Sequence, residues 1–176
     1  MITLILGGAR SGKSRYAESL AKRYDQVLYV ATATIGDEDM AERVKKHRED
    51  RPSHWRTLER YRGFQDPPEE PCILLDCMTF MLTNILFEEE NEDYSAKRMQ
   101  QIEPVVFQEI KQMLEVYKNK HLILVSNEVG LGIAPSYPLG GAFRDMQGRV
   151  NQYLAREADE VYFMISGLPM TLKEPS

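Results

Sequence analysis

Two hydrophobic periods alternate along this chain. Short β-rich runs (ITLILGG, QVLYVAT, ILLDC, HLILVSNE and EVYFMIS) alternate with amphipathic stretches (KSRYAESLAKRY, DEDMAERVKKH, MTFMLTNILF and FRDMQGRVNQYLAREA). That alternation predicts an α/β fold, a mostly parallel sheet with helices on both faces. FQDPPEEP, from Phe64 to Pro71, and FEEENEDYS, from Phe87 to Ser95, read as solvated connections, and neither separates two cores. Between Tyr94 and Lys120 a long helical pattern meets Pro104, which either kinks it or opens a new helix at its first turn. No internal repeat occurs.

At 176 residues, with 43% hydrophobic and 28% charged positions, the chain has the size and composition of one folded domain spanning 1–176. No apolar run reaches the roughly 20 residues of a membrane span. Met1 leads straight into a core strand rather than a signal sequence, so a soluble, cytoplasmic protein is expected. A net charge of −5 lacks the basic footprint that long nucleic acids require, although a few local donors suffice for a small anion. The two cysteines, Cys72 and Cys77, are expected to be buried thiols rather than a disulfide framework or metal site.

The strongest chemical signal is GGARSGKS, comprising Gly7, Gly8, Ala9, Arg10, Ser11, Gly12, Lys13 and Ser14. It matches G-x-x-x-x-G-K-[ST] between a predicted strand and a predicted helix, the context of a P-loop. Backbone N–H groups and the helix N-terminus would hold phosphates, Lys13 would reach the β and γ phosphates, and Ser14 would offer its hydroxyl to Mg²⁺. Asp76, at the tip of ILLDC, is the candidate second magnesium anchor; capping of the following helix is its alternative role. Where a Ras-type switch would carry D-x-x-G and N-K-x-D, this chain has DCMT and SNEV, which argues against a GTPase switch.

Of the three histidines, His121 starts a predicted strand and is expected to cap it or face solvent. His47 falls with Met40 and Val44 at i, i+4 and i+7, on the inward stripe of a predicted helix and beside Lys45, Lys46, Arg48 and Arg51. Neighbouring cations lower an imidazole's pKa and attract phosphates, so His47 is either a nucleophile or a core residue. Glu59 follows on a short β-like run; its carboxylate can accept from guanine N1–H and N2–H₂ together, or it is a solvated strand residue.

Taken together, GGARSGKSRYAESLA, QVLYVATA, DMAERVKKHREDRPSHWRTLE, LLDCMTFMLTN, VSNEVGLGIAP and FRDMQGRVNQYLA resemble the bifunctional adenosylcobinamide kinase/adenosylcobinamide-phosphate guanylyltransferases of cobalamin biosynthesis. The specific blocks are H-x-x-x-R-P-x-x-W-x-T, NEVG-x-G-I-x-P and FRD-x-x-GR-x-N. The resemblance implies a RecA-like P-loop fold, GTP and ATP as substrates, Mg²⁺, and adenosylcobinamide as acceptor. It also implies a guanylylated histidine at His47, and a nucleotide site that adds Ala31, Thr32, Ala33, Arg48, Glu49, Asp50, Arg51, Glu59 and Asp76 to the P-loop. A homo-oligomer, by resemblance a trimer, is expected. Ser136 to Asp145 departs from the pattern with Tyr137, Pro138 and the Gly140–Gly141 pair, and contacts with the corrinoid are expected to differ there. Two other readings stay open: a metabolite or nucleoside kinase in which His47 is structural, and a non-enzymatic nucleotide-binding regulator.

Overall fold

A computed structural model describes residues 1–33, 52–88 and 96–175. Seven strands form one sheet: β1 (Ile2–Gly7), β2 (Val27–Ala31), β3 (Arg56–Glu59), β4 (Cys72–Asp76), β5 (His121–Asn127), β6 (Glu160–Ile165) and β7 (Leu168–Lys173). Their order is β3-β2-β4-β5-β1-β6-β7. Every pairing is parallel except β6 with β7. Four helices are described: α1 (Lys13–Ala21), α2 (Met78–Phe87), α3 (Ala96–Tyr117) and α4 (Pro138–Glu157).

The apolar strands are buried on both faces because successive side chains point to opposite sides. Leu4, Leu6, Ile73, Leu75, Leu122 and Leu124 enter one core with the apolar stripes of α2, α3 and α4. Ile5, Cys72, Leu74, Ile123 and Val125 enter the other with Ala17, Leu20 and Ala21 of α1. Helices on both faces of a mostly parallel sheet were the expectation, and the structure bears it out. No helix among the described residues is long and apolar enough to cross a membrane. Cys72 and Cys77 are both free and buried, as expected.

Three expectations are refined or corrected. Pro104 lies inside one continuous helix, α3, so of its two expected roles the start of a new helix is ruled out. The final segment LPMTLK, in which no element was foreseen, is the antiparallel strand β7; all six of its residues are exposed, so no buried face marks it in the sequence. His121 is half-buried rather than a solvent-facing cap. Its Nε2 lies 2.9 Å from Thr3 Oγ1 and its Nδ1 2.8 Å from the Tyr24 hydroxyl. This cluster sits at the amino end of β5, opposite the phosphate loop.

Within the departure at Ser136 to Asp145, Pro138 is the first residue of α4, a position where its missing N–H costs nothing. A Cβ on Gly140 would lie 2.7 Å from the Tyr137 ring, so Gly140 is what lets that ring fold back over the helix start.

Candidate active site

The loop from Gly7 to Gly12 joins β1 to α1 at the carboxyl edge of the sheet. It turns through left-handed φ angles at Arg10 (56°) and Gly12 (96°), and the Ser11 amide donates to Gly8 O at 3.3 Å. No acidic residue occupies the first turn of α1, so nothing there offsets the positive end of its dipole. Lys13, 7% exposed, lies within this cradle and donates from Nζ to Gly8 O at 2.6 Å. Burial lowers its pKa from the usual lysine value, while the Asp76 carboxylate opposes that shift. The electrostatic link to Asp76 ties the phosphate cradle to the tip of β4.

Asp76 ends β4, and the N-cap of α2 is the next residue, Cys77, so the carboxylate is not the helix cap. With its alternative role gone, Asp76 is left half-buried at the sheet edge, one strand removed from the P-loop strand. Burial pushes the Cys77 thiol up to about 12, which leaves it protonated and inert.

Register aligns the remaining residues. Ala31 pairs with Glu59 on one side and with Asp76 on the other, and Asp76 pairs with Val125 of β5. Glu59, Ala31 and Asp76 thus form one row across the carboxyl ends of β3, β2 and β4, about 10 Å from end to end. A cavity of about 570 Å³ opens over its β3 end, lined by Ala31, Thr32, Ala33, Glu59, Arg60 and Tyr61 among others. Thr32 is fully buried and its hydroxyl is committed: Oγ1 donates to Cys77 O at 2.6 Å and accepts from Cys77 N–H at 2.7 Å. It ties β2 to β4 beneath the cavity floor. The structure therefore brings the P-loop, Asp76, Ala31, Thr32, Ala33 and Glu59 to one edge. His47, Arg48, Glu49, Asp50 and Arg51 lie outside the described residues.

Two groups at this edge escaped the reading of the sequence. Arg60, Tyr61 and Arg62 line the cavity beside Glu59; the Tyr61 hydroxyl donates to Glu88 at 3.1 Å, and Arg62 pairs with Glu88 and with Glu109 at 3.5 Å. Beyond β5, the buried side chains of Ser126, Gln147 and Asn151 form a hydrogen-bonded triad. The available signal was Gln147 and Asn151 at i, i+4, polar positions beside the apolar stripe of Met146, Val150 and Leu154.

The donor set fits a magnesium ion. Ser14 and Asp76 offer hard oxygen ligands, and no group of three or more His, Cys, Asp or Glu side chains among the described residues could cage a metal. Magnesium characteristically takes one or two protein oxygens and completes its shell with phosphates and water.

Residues 3–172 match the family described as cobinamide kinase / cobinamide phosphate guanyltransferase. The chain belongs to that family. Over 98% of its length it is 42% identical to the bifunctional adenosylcobalamin biosynthesis protein CobU of Escherichia coli, and equally to that of Salmonella typhimurium, each covered in full. It is 40% identical to the protein CobP of Pseudomonas aeruginosa, over 98% of both chains. Among solved structures it is similar to the P4 protein of bacteriophage phi6 in complex with ADP, at a TM-score of 0.44 and 12% identity, covering 96% of this chain and 52% of that one. Membership bears out the resemblance drawn from the sequence and its pairing of kinase with guanylyltransferase. It speaks against a simple nucleoside kinase and against a non-enzymatic regulator.

Proposed function

We propose that this chain phosphorylates the aminopropanol hydroxyl of adenosylcobinamide with ATP or GTP, and then transfers GMP from GTP to that phosphate through a guanylylated His47. One observation supports the reading: the phosphate cradle around Lys13 and, at the β3 end of the Asp76–Ala31–Glu59 row, a cavity lined by a carboxylate suited to guanine lie along the same carboxyl edge of the sheet. Ligands of open α/β sheets bind in this position.

In the first reaction the loop amides and Lys13 fix the triphosphate so that the acceptor hydroxyl attacks the γ-phosphorus in line. Lys13 also stabilises the charge that develops on the transferring group. Magnesium, held by Ser14 and Asp76, would neutralise phosphate charge. In the second reaction neutral His47 attacks the α-phosphorus of GTP and pyrophosphate leaves. The phosphate of the first product then takes the guanylyl group and frees the imidazole. Arg10, Arg48 and Arg51 are further cations for these phosphates, and Glu49 and Asp50 belong to the same segment. A cytoplasmic homo-oligomer, trimeric by family resemblance, completes the proposal.

The test is GTP labelled at the α-phosphate. With Mg²⁺, label should remain on the protein through an acid-labile, base-stable bond, as a phosphoramidate behaves. His47→Ala should abolish labelling and keep some phosphoryl transfer, whereas Lys13→Ala should impair both reactions, because the cradle is shared and the covalent step is not. Full labelling of His47→Ala, or loss of label in His54→Ala instead, would assign the nucleophile elsewhere.

A further inference from the structure

Phosphoryl transfer to a hydroxyl releases a proton, and neither the cradle nor the metal anchor takes it up. Between the phosphate loop and Asp76 the carboxyl edge of the sheet is formed by the ends of β1, β5 and β4. Asp76 on β4 is needed for the metal. Among the described residues, the next carboxylate along this edge belongs to Glu128, the first residue beyond β5.

Glu128 is set close to the cradle. Its amide donates to Gly7 O, the first residue of the phosphate loop, at 3.0 Å. Asn127, the residue before it, pairs with Gly7, while Val125, two residues earlier, pairs with Asp76. The strand carrying Glu128 thus runs between the strand of the phosphate loop and the strand of Asp76, about 5 Å to the side of each. One carboxylate oxygen, Oε1, accepts from the Gly130 amide at 2.5 Å, which orients the group.

The strand tip is also firmly fixed. The Asn127 amide donates to Thr79 Oγ1 at 3.0 Å, from the first turn of α2. Asn127 O accepts from Asn151 Nδ2 at 3.0 Å, from α4. Asn151 Oδ1 in turn accepts from Ser126 Oγ at 2.6 Å and from Gln147 Nε2 at 3.0 Å. Asn151 thus bridges the end of β5 and α4 and holds the strand end that leads into Glu128. The Glu128 side chain is half-exposed, so a bound acceptor can reach it. Beyond it, Leu131 (81% exposed) and Ile133 (99% exposed) are apolar side chains open to solvent.

We propose that Glu128 is the general base of the phosphoryl-transfer step, an inference that rests on the kinase half of the function above. The acceptor oxygen forms its bond to the γ-phosphorus as the bond from that phosphorus to the β,γ-bridging oxygen breaks. The nucleoside diphosphate leaves with the electron pair, and the hydroxyl proton passes to the Glu128 carboxylate and from there to water. Guanylyl transfer has no such need, because its acceptor is already an anionic phosphate.

The experiment compares the parent enzyme with Glu128→Gln in two assays: phosphorylation of cobinamide by magnesium ATP, and guanylyl transfer from GTP to cobinamide phosphate supplied directly. The variant should lose about 10²–10³-fold in kcat of phosphorylation, with both KM values within about threefold of the parent, the scale of a missing general base. Guanylyl transfer should stay within about threefold, which also reports an intact fold. A kcat of phosphorylation within about fivefold of the parent, a loss confined to KM, or equal losses in the two assays would each overturn the assignment. Failure of the underlying function shows differently, as a parent enzyme that phosphorylates no cobinamide.

Discussion

Gly7 passes so close to Met164 that a Cβ on it would lie 2.7 Å from the Met164 carbonyl oxygen, a backbone atom of the neighbouring strand β6 that has no room to withdraw. The same Cβ would meet Ser11 Oγ at 2.7 Å, and the φ of +150° is one that side chains rarely adopt. The first glycine of the phosphate loop is therefore required by the packing of the sheet beneath the loop as well as by the turn above it.

Gly7→Ala should destabilise the fold by about 1–3 kcal/mol, the scale of a strained backbone position. It should also weaken nucleotide binding, because the loop must lift to clear Met164. Urea unfolding and titration with a nucleoside triphosphate check the two effects separately. A variant as stable as the parent with unchanged affinity would show that the contact relaxes freely.

A second prediction concerns the amino end of the sheet. Burial holds the His121 pKa below its ordinary value of 6.5; the N-terminal ammonium and Arg23 push it the same way, while Glu160 and Asp159 oppose. The unfolded chain, titrating near 6.5, therefore takes up the proton before the folded one does. The contribution of neutral His121 to stability is complete above that value and is lost as the pH falls through the depressed folded value. In His121→Gln the lost contacts to Thr3 and Tyr24 cost the same at every pH, so the difference from the parent should shrink on acidification from about pH 8 to about pH 5. Urea midpoints of both proteins across that range measure it, and a difference that stays constant with pH would dismiss His121 as the titrating group.

The sheet was legible because its strands are buried on two faces and read as unbroken apolar runs, as in Leu4, Ile5 and Leu6 or Ile73, Leu74 and Leu75. β7 was not, because a fully exposed edge strand has no buried face to impose a period on its sequence. The P-loop could be read outright, since glycine, lysine and serine have separate physical functions there. Asp76 was legible as a metal anchor or a helix cap, and the position of Cys77 at the N-cap sets the capping role aside. Glu128 stands within NEVG with no role that the sequence alone discloses, because a lone glutamate after a strand gains meaning only once pairing sets it beside Gly7.

The last prediction is purine selectivity in the transfer step. A histidine nucleophile reads phosphate alone, so another group must distinguish GTP from ATP. Glu59 shares a register row with Ala31 and Asp76 and lines the cavity at the β3 end of that row, about 10 Å from Asp76, a distance that a nucleotide spans between its base and its phosphates. Its carboxylate can accept from guanine N1–H and N2–H₂, whereas adenine presents the N1 lone pair to it and is repelled. Glu59 is exposed at the cavity mouth, so the discrimination comes from the charge-assisted hydrogen bonds gained with guanine set against repulsion by the adenine N1 lone pair. Glu59→Gln keeps the shape and removes the charge. It should slow formation of the guanylyl adduct from GTP by about tenfold or more, on the scale of one charge-assisted hydrogen bond, and narrow the preference for GTP over ATP. Phosphoryl transfer from ATP should be spared. Adduct yields from GTP and from ATP, measured side by side for parent and variant, decide the matter: an unchanged ratio would return Glu59 to the role of a strand residue at the cavity mouth.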